Sequence, residues 1–489
     1  MTINSIVLIA IIIILLANTI GAIITVFHRP RSISSILSWL LVLFFFPVVG
    51  FLFYAFFGRG LAEEKLFTIS SQDHVGLNSL KSIILKNNKN YESRIPDDTS
   101  NNCKKVINYF DRSEDSPLTR HNGVKLFTDG DEKFNALFED IKNATESIHI
   151  EYYSIFNDNI GNKLLTLLAQ KAEEGVEVKV LYDSWGSAKT RGIWFRKFEK
   201  SGVKVLPFIT GRNVIAKARL NYHLHRKIVV IDGIYGWIGG FNVGDQYLGE
   251  SKKFGYWRDT HARIHGSAAF LMQERFIMDW NASVRNVRDQ INFESKYFPE
   301  NKIPYDLNTR TQIIGDGPDR NEEVLKGGFI SMILNAKKHI YIQTPYLVPD
   351  DSMMDALKIA ARSGVQIEIM IPDMPDHAFI YRATQYYANY LTGYGIKVYN
   401  YHKGFLHAKT AVFDDQIGVV GSMNHDFRSY SLNFEANAYF YNSNIAGQLR
   451  TIFNEDIKHS TLITEETIAQ QSHWLSFKQY FSRLLSPIL

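Results

Sequence analysis

The 489-residue sequence contains a single cysteine, Cys103. One thiol cannot form an internal disulfide, which excludes a disulfide-stabilised scaffold, and it cannot build a thiolate metal cluster. A large excess of positive charge is also missing, because the formal net charge at pH 7 is only +4. The overall balance therefore does not favour nucleic acid as a partner. At this length one hydrophobic core is rarely sufficient, so we expect two or more structural units.

What the sequence does contain is one pattern twice: His-x-Lys, an Asp five residues after the Lys, and a glycine-rich turn that ends in Asn. A lone His-x-Lys occurs by chance, whereas a repeated pattern with identical spacing indicates function. For any one of these residues alone a structural role would be favoured, but not for the pattern repeated in register. The two copies are His225, Lys227, Asp232, Gly239, Gly240 and Asn242, and His407, Lys409, Asp414, Gly421, Ser422 and Asn424.

The repetition extends beyond the motifs. Residues 144–153 are similar to 336–346, and 202–205 are similar to 395–398. Each copy alternates helical patterns with short β-branched strands, which indicates a mixed or parallel sheet covered by helices. We therefore predict an α/β protein with two similar mixed-sheet domains that face a shared cleft. Their expected bounds are 116–300 (motif 223–242) and 301–489 (motif 405–424), after a polar connector at 59–115.

Two long apolar runs without charge precede the connector, at residues 3–27 and 33–57. At about 1.5 Å per residue, either run is long enough for a hydrocarbon core of about 30 Å. We predict that residues 1–58 form a two-helix transmembrane hairpin. A cleaved signal peptide is the alternative for the first run, but no Lys or Arg precedes it and the second run follows at once.

The side of the membrane is less well determined by the sequence. The loop between the runs carries Arg29 and Arg31, and the exit carries Arg59 and Lys65. By the positive-inside rule these nearly balance, with a slight preference for a cytoplasmic loop once nearby acids are counted. The rule leaves the side open, and our working expectation places the catalytic domains on the cytoplasmic side.

The motif residues suit phosphorus chemistry. His and Lys two positions apart on a strand point to the same face, and the intervening Arg226 and Ala408 point the other way, so this mismatch should cost nothing. Each half would then offer one imidazole, one ammonium and one carboxamide to the cleft. Such donors suit a phosphate, with Asn242 and Asn424 among its ligands. Of two histidines, one can attack phosphorus while the other protonates the leaving alkoxide and then deprotonates the acceptor.

Neither a metal nor another cofactor is expected, because a protonated Lys beside each His would oppose a cation. Asp232 and Asp414 join the predicted catalytic set as motif members, although an Asp at a strand end more often fixes a turn. Asp259 and Glu435, downstream of the two Asn residues, are better candidates for orienting the imidazoles.

The two motifs resemble those of the phospholipase D superfamily over residues 116–489, and 256–261, 431–435 and 486–489 resemble bacterial cardiolipin synthases. The resemblance implies a membrane enzyme that condenses two phosphatidylglycerols to cardiolipin and glycerol, with a phosphatidyl group carried on His225 and with His407 as acid and base. It also implies that Ser422 binds phosphate. Gly240 departs from the pattern, because many members carry Ser there. A hydrolase that uses water as acceptor is the main alternative, and a nuclease or a non-enzymatic scaffold is less favoured.

Two further segments relate to the membrane. The basic stretch 184–227 could attract anionic lipid, or it could be an ordinary solvated surface. Near the C-terminus, helical spacing relates Trp474, Phe477, Phe481, Leu484 and Leu485, with Lys478 and Arg483 beside them. This predicts an amphipathic helix that either lies on the bilayer or docks onto the domain.

Overall fold

The computed structural model describes residues 3–27, 33–46, 49–50, 76, 100–113, 116–190, 192–208, 222–320 and 322–485. At the N-terminus, helices α1 (Ile3–Phe27) and α2 (Ile33–Phe45) pack together, and Asn18 Nδ2 donates to Leu43 O at 3.3 Å. Within the described ranges, no helix has the length and hydropathy needed to cross a bilayer. Helix α1 covers the first predicted span, whereas much of the second beyond Phe45 lies outside the described residues.

Helix α3 (Asn101–Ser113) is the described end of the predicted polar connector. Its apolar residues recur at helical spacing, and Cys103, Val106 and Phe110 are buried in the core of the second domain. The ring of Phe110 lies 4.5 Å from that of Tyr439. This end of the connector is therefore a packed part of the second domain.

The first domain is built on a seven-stranded mixed sheet. Its strands are β1 (Asn122–Phe127), β2 (Ser147–Tyr152), β3 (Glu177–Tyr182), β4 (Lys204–Pro207), β6 (Lys227–Ile231), β7 (Tyr235–Gly239) and β9 (His261–Gly266), with the short β5 (His223–Leu224) and β8 (Trp257–Arg258) outside it. Its helices are α4 (Gly130–Lys142), α5 (Asn159–Glu173), α6 (Gly192–Glu199) and α7 (Ala268–Ser283). The strand order is β1-β9-β7-β6-β2-β3-β4, in which β2, β3 and β4 run parallel and the other pairs antiparallel.

The second domain repeats this plan. Its strands are β10 (Arg310–Asp316), β11 (His339–Gln343), β12 (Leu347–Val348), β13 (Gln366–Pro372), β14 (Lys397–Tyr401), β15 (Phe405–Leu406), β16 (Thr410–Phe413), β17 (Ile417–Gly421), β18 (His425–Asp426), β19 (Asn433–Tyr441) and β20 (Ser460–Leu462). Its helices are α8 (Val324–Asn335), α9 (Asp351–Arg362), α10 (Ala378–Thr392), α11 (Phe427–Ser431), α12 (Ser443–Ile457), α13 (Glu465–Ala469) and α14 (His473–Leu485).

The main sheet of this domain has the order β10-β19-β17-β16-β11-β13-β14-β20. Apart from the added β20, each strand corresponds in position to one of the first sheet, from β10 and β1 at one edge to β14 and β4 near the other. The prediction of two similar domains with mixed α/β sheets is thereby confirmed. The domain boundaries stay predictions.

A single hydrophobic core joins the two domains. It contains Ile228 and Ile264 of the first sheet, Val420 and Phe440 of the second, and Trp280 of α7. All five side chains are almost completely removed from water. Because apolar burial is the main stabilising term in folding, this shared core holds the two sheets in one fixed relation. Side chains from both domains can then be positioned against one another in the cleft.

Candidate active site

The two domains exchange short strands at the cleft. β5 of the first domain pairs in parallel with β19 of the second, and β15 of the second pairs in parallel with β8 of the first. Each exchange places one motif histidine beside the other domain: His225 N donates to Phe434 O at 2.9 Å, and His407 N donates to Arg258 O at 2.7 Å. The residue that follows each of these carbonyls is an acid, Glu435 or Asp259.

Each histidine therefore meets the acid of the opposite domain. His225 Nδ1 lies 2.8 and 2.9 Å from the two carboxylate oxygens of Glu435. His407 Nδ1 lies 2.6 Å from Asp259 Oδ2. Both carboxyl groups are fully buried, and the histidines are nearly so. A buried carboxylate on Nδ1 fixes the tautomer and leaves the lone pair of Nε2 available for chemistry.

The protonation of the first pair suits a nucleophile. Burial lowers the pKa of His225 to about 4, an effect that Glu435 opposes and Lys227 reinforces. Burial raises the pKa of Glu435, but the contacts with His225 and Lys227 outweigh it, so that this pKa lies below its ordinary value. Near pH 7 the pair is therefore a neutral imidazole that donates to an ionised carboxylate.

The second histidine is in a similar state. Burial lowers the pKa of His407 to about 4, with Lys409 adding to the effect and Asp259 opposing it. A negatively charged ligand in the cleft would favour the protonated form, because an opposite charge within a few ångströms stabilises the imidazolium. His407 can thus gain a proton when an anionic substrate arrives.

The motif lysines lie directly beside the histidines. Lys227 Nζ donates to His225 O at 2.5 Å, and Lys409 Nζ donates to His407 O at 2.5 Å. Burial lowers the pKa of Lys227 well below its ordinary value and that of Lys409 to about 8. A buried ammonium is stabilised by a nearby anion, so both lysines are suited to hold a phosphate.

The two asparagines line the same cavity as the histidines. Asn242 Oδ1 accepts from Ser154 N at 3.2 Å, and its Nδ2 donates to Tyr247 Oη at 3.1 Å. Asn424 is 3 % exposed and lies at the equivalent point of the second domain. These positions agree with the predicted contribution of one carboxamide from each half.

Ser422 is placed differently from the expectation that it binds phosphate. Its hydroxyl is fully buried and donates to Glu435 Oε2 at 2.5 Å. The corresponding position of the first domain shows why Gly240 departs from the pattern: a Cβ there would lie 2.0 Å from Asp259 Oδ1. The residue at each position therefore fits the neighbouring acid: Gly240 leaves room for Asp259, and Ser422 donates to Glu435. Ser422 binds a carboxylate and does not line the cavity.

The structure corrects the inclusion of Asp232 and Asp414 in the catalytic set. Both lie at the far end of the motif strand, in turns with positive φ of 50° and 52°. Asp232 accepts hydrogen bonds from the amides of residues 145–147 at 2.8 to 3.0 Å. Asp414 accepts from the amides of residues 337–339 at 2.8 to 3.1 Å. Each carboxylate fastens a turn to the start of a neighbouring strand, away from the histidines.

The difference between Arg226 and Ala408 is not neutral, contrary to the expectation from the sequence. Its side chain is completely buried and forms an ion pair with Asp279 of α7. Nε donates to Glu435 O at 3.0 Å, and Nη2 donates to Asp316 O at 3.0 Å. The residue that points away from the cleft therefore ties the first motif to the strand that carries its partner acid.

Arg258 makes a similar connection beside Asp259. Its Nε lies 3.0 and 2.9 Å from the carboxylate oxygens of Asp456 in α12. Gln343 donates to the same carboxylate at 2.8 Å. One buried arginine from the first domain thus reaches into the second near each His–acid pair.

The cavity between the domains has a volume of about 620 Å³, a size typical of small-molecule sites. Sequence reasoning missed several of its polar lining residues, although signals existed for some. His223 and Asp426 lie two positions from a motif residue, where a strand returns to the same face. The missed residues include Tyr153, His223, Tyr346, Asp426 and Arg428.

The cavity is not symmetric. His223 Nδ1 lies 3.5 Å from Asp183 Oδ1, and its ring is stacked against Trp185 at 6.3 Å. The equivalent position of the second domain holds Phe405, which is buried among aromatic residues 4.9 Å from Trp257. The two halves therefore offer the same reacting groups in different surroundings, which suits a donor and an acceptor with different roles.

A mixed two-sheet fold, with two His-x-Lys motifs that meet at one cavity, defines the phospholipase D superfamily. A solved structure has a similar fold: phosphatidylserine synthase of Haemophilus influenzae superposes with a TM-score of 0.60 at 16 % identity, covering 79 % of this chain and all of that one. The sequence profile described as "Cardiolipin synthase, PLD-like domain" matches residues 137–260 and 329–457. The profile described as the phospholipase D-nuclease N-terminal domain matches residues 6–59.

Relatives that match over nearly their whole length place the chain in one family within this superfamily. The chain is 45 % identical to a cardiolipin synthase of Listeria monocytogenes, over 98 % of each chain. It is 44 % identical to a cardiolipin synthase of Staphylococcus aureus, over 96 % of this chain and 95 % of the other. The protein belongs to the family of cardiolipin synthases with phospholipase D-like domains, and the prediction of a phospholipase D-type transferase is confirmed.

Proposed function

We propose that the chain condenses two phosphatidylglycerol molecules to cardiolipin and glycerol through a phosphohistidine intermediate. The observation that supports it best is the crossed pairing at the cleft: each imidazole bonds through Nδ1 to the acid of the other domain. Two neutral imidazoles at one cavity supply a nucleophile and a proton carrier without any further group.

In the first half-reaction, Nε2 of His225 attacks the phosphorus of the donor phosphatidylglycerol. A P–N bond forms, the P–O bond to the glycerol headgroup breaks, and protonated His407 gives its proton to the departing oxygen. The positive charge that develops on His225 is stabilised by Glu435, which lies 2.8 Å from Nδ1. The family resemblance, rather than the geometry, assigns the nucleophile to His225.

In the second half-reaction, neutral His407 accepts the proton of a hydroxyl group on a second phosphatidylglycerol. The hydroxyl oxygen attacks phosphorus, the P–N bond breaks, and His225 leaves as a neutral imidazole. Lys227, Lys409, Asn242 and Asn424 stabilise the phosphoryl oxygens through both steps. Asp259 orients His407 through its 2.6 Å contact and supports the imidazolium.

The direct test supplies purified full-length protein with phosphatidylglycerol in mixed micelles and identifies the products. Cardiolipin and free glycerol in equal amounts are expected. Formation of phosphatidic acid alone would show that the protein is a hydrolase and not a transferase. His225→Ala and His407→Ala are both expected to abolish turnover, while a trapped phosphatidyl adduct survives in one of them. Loss of activity on adding a chelator would refute the metal-free mechanism.

We also propose that residues 1–58 anchor the protein in the membrane as a two-helix hairpin with the catalytic domains on the cytoplasmic side. The match of residues 6–59 to a phospholipase D N-terminal profile supports an N-terminal membrane segment. The buried, unpaired Cys103 is compatible with a reducing compartment. The test places a cysteine at exposed Val287 and labels intact cells with an impermeant maleimide; protection until lysis is expected, and labelling of intact cells would reverse the topology.

A further inference from the structure

Helix α14 (His473–Leu485) is turned opposite to an ordinary amphipathic surface helix. Its polar residues Gln479 and Ser482 are 3 % and 1 % exposed, because they face the domain. Four apolar residues of the helix point outward and are here called the aromatic face: Trp474, Phe477, Phe481 and Leu484, which are 65 %, 56 %, 50 % and 71 % exposed. The usual arrangement buries the apolar side of a helix and leaves the polar side in water.

The contacts of α14 hold it in this orientation. It packs along α10 (Ala378–Thr392), where Asn389 Nδ2 lies 3.5 Å from Gln479 Oε1 and 3.2 Å from Gln471 Oε1. On the same side, the ring of Tyr480 lies 5.2 Å from that of Tyr386. The helix is therefore docked through polar groups, and the aromatic face is left outside by this docking.

The aromatic face is a continuous surface rather than scattered apolar residues. Trp474 and Phe477 stack with ring centres 5.5 Å apart, and Phe477 and Phe481 stack at 6.3 Å. Single exposed apolar residues are ordinary, but a contiguous patch on a soluble surface marks an interaction site. Tryptophan and phenylalanine flanked by cations are the composition of a helix that lies in a membrane interface.

The charged residues of the two packed helices are all of one sign. Helix α14 contains Lys478 and Arg483 but no acid, and α10 contains Arg382 but no acid. Lys478 Nζ lies 5.6 Å from the ring of Trp474, so the cation borders the aromatic face directly. A surface of this kind is attracted to anionic lipid headgroups, at about 1 kcal/mol per basic residue near the membrane.

Helix α14 is linked to the cleft through α10. Ile380 and Ala383, near the start of α10, line the cavity, while Tyr386 further along the same helix contacts α14. At about 1.5 Å of rise per residue, Ile380 and Tyr386 are roughly 9 Å apart along the helix. Helix α10 therefore connects the wall of the cavity to the helix that carries the aromatic face.

We propose that the aromatic face of α14 inserts into the interfacial layer of an anionic bilayer and holds the cleft at the membrane surface. This contact is additional to the N-terminal segment and lies at the opposite end of the chain. It separates two tasks: the N-terminal segment retains the protein at the membrane, and α14 sets the approach of the catalytic domains to it. The proposal concerns the surface outside the cleft and does not depend on the acceptor used in the reaction.

The first test measures contact directly on the full-length protein in vesicles of phosphatidylglycerol and phosphatidylcholine. Phe477→Cys is labelled with an environment-sensitive fluorophore, and Val287→Cys on the first domain, 67 % exposed against 56 % for Phe477, is the matched control. The only native thiol, Cys103, is buried. We expect blue-shifted emission at position 477 and quenching by spin-labelled lipid, with neither at 287. Water-like, unquenched emission at 477 would overturn the proposal, as would disulfide cross-linking of two copies through this residue.

The second test measures the consequence for turnover. The triple variant Trp474→Ala, Phe477→Ala and Phe481→Ala should lose about tenfold or more of its activity on vesicles but keep it in mixed micelles, where substrate reaches the cleft without a bilayer. Val287→Ala is expected to behave as wild type in both. An equal loss in vesicles and micelles would refute the membrane role. Absence of cardiolipin with the wild-type protein in micelles would instead refute the proposed reaction and leave the fluorescence test unaffected.

Discussion

Replacing Glu435 with glutamine removes one negative charge while preserving the size and shape of the side chain. In the native protein the carboxylate contacts His225 Nδ1 through both oxygens and accepts from the hydroxyls of Ser422 and Ser429 at 2.5 and 2.8 Å. A glutamine can keep one oxygen acceptor in this network. It cannot balance the positive charge that His225 gains when its Nε2 bonds to phosphorus.

The size of the effect follows from the geometry. With the charge centres about 4 Å apart and an effective dielectric constant of about 20, the attraction between carboxylate and imidazolium is about 4 kcal/mol. The positive charge on His225 exists only once the P–N bond begins to form. Loss of the negative charge at position 435 therefore raises the activation barrier and leaves substrate binding nearly unchanged. Since 1.36 kcal/mol corresponds to a factor of ten, kcat is expected to fall about a thousandfold while KM changes little.

The assay follows cardiolipin formation from labelled phosphatidylglycerol and, separately, the burst released from a phosphatidyl ester of nitrophenol. This activated leaving group needs no proton, so the burst reports attack by the nucleophile alone. Asp259→Asn makes the same change beside His407 and is the matched control. Glu435→Gln should lose the burst, whereas Asp259→Asn should keep the burst and lose transfer to the acceptor. A fall in kcat of less than tenfold for Glu435→Gln, or loss of the burst in both variants, would contradict this reasoning.

Four further predictions concern neighbouring features. Gly240→Ala should lower kcat about a hundredfold, measured in the cardiolipin assay, because the new Cβ would lie 2.0 Å from Asp259 Oδ1 and displace the carboxylate; unchanged kcat would contradict the close approach. The burst with the nitrophenyl donor should fall to half near pH 4 rather than near pH 6.5, because burial lowers the pKa of His225 and the neutral form attacks; a midpoint near 6.5 would show an ordinary imidazole. Arg226→Ala should destabilise the protein by about 3 kcal/mol or more in denaturant unfolding, since it removes the cation paired with the buried carboxylate of Asp279; adding Asp279→Asn should recover part of the loss if the pairing is the cause. Asp232→Ala should lower unfolding free energy by about 3 kcal/mol through the lost amide contacts while kcat at permissive temperature changes less than about threefold; a large fall in kcat without a stability change would return this Asp to the catalytic set.

Much of the site could be predicted because the direction of a side chain depends on its position within a single strand. Alternation along a strand places His225 and Lys227 on one face, and the repeated spacing shows that His407 and Lys409 do the same. The same rule would have found His223, which was missed. Where the expectation for Arg226 failed, a long-range contact was responsible: nothing near Arg226 in the chain indicates that its partner is Asp279, 53 residues later on α7.

The sequence by itself determined the duplication and the mixed α/β domains, and it identified the candidate histidines and lysines together with the two acids that contact the histidines. Only the tertiary structure decided how these parts combine. Each histidine contacts the acid of the other domain: His225 contacts Glu435, and His407 contacts Asp259. Asp232 contacts the start of a neighbouring strand instead of a histidine. The physical reason is the exchange of strands between the domains. The direction of a side chain follows from its position within one strand. Which strand lies beside that one depends on how two distant halves of the chain pack around a shared core.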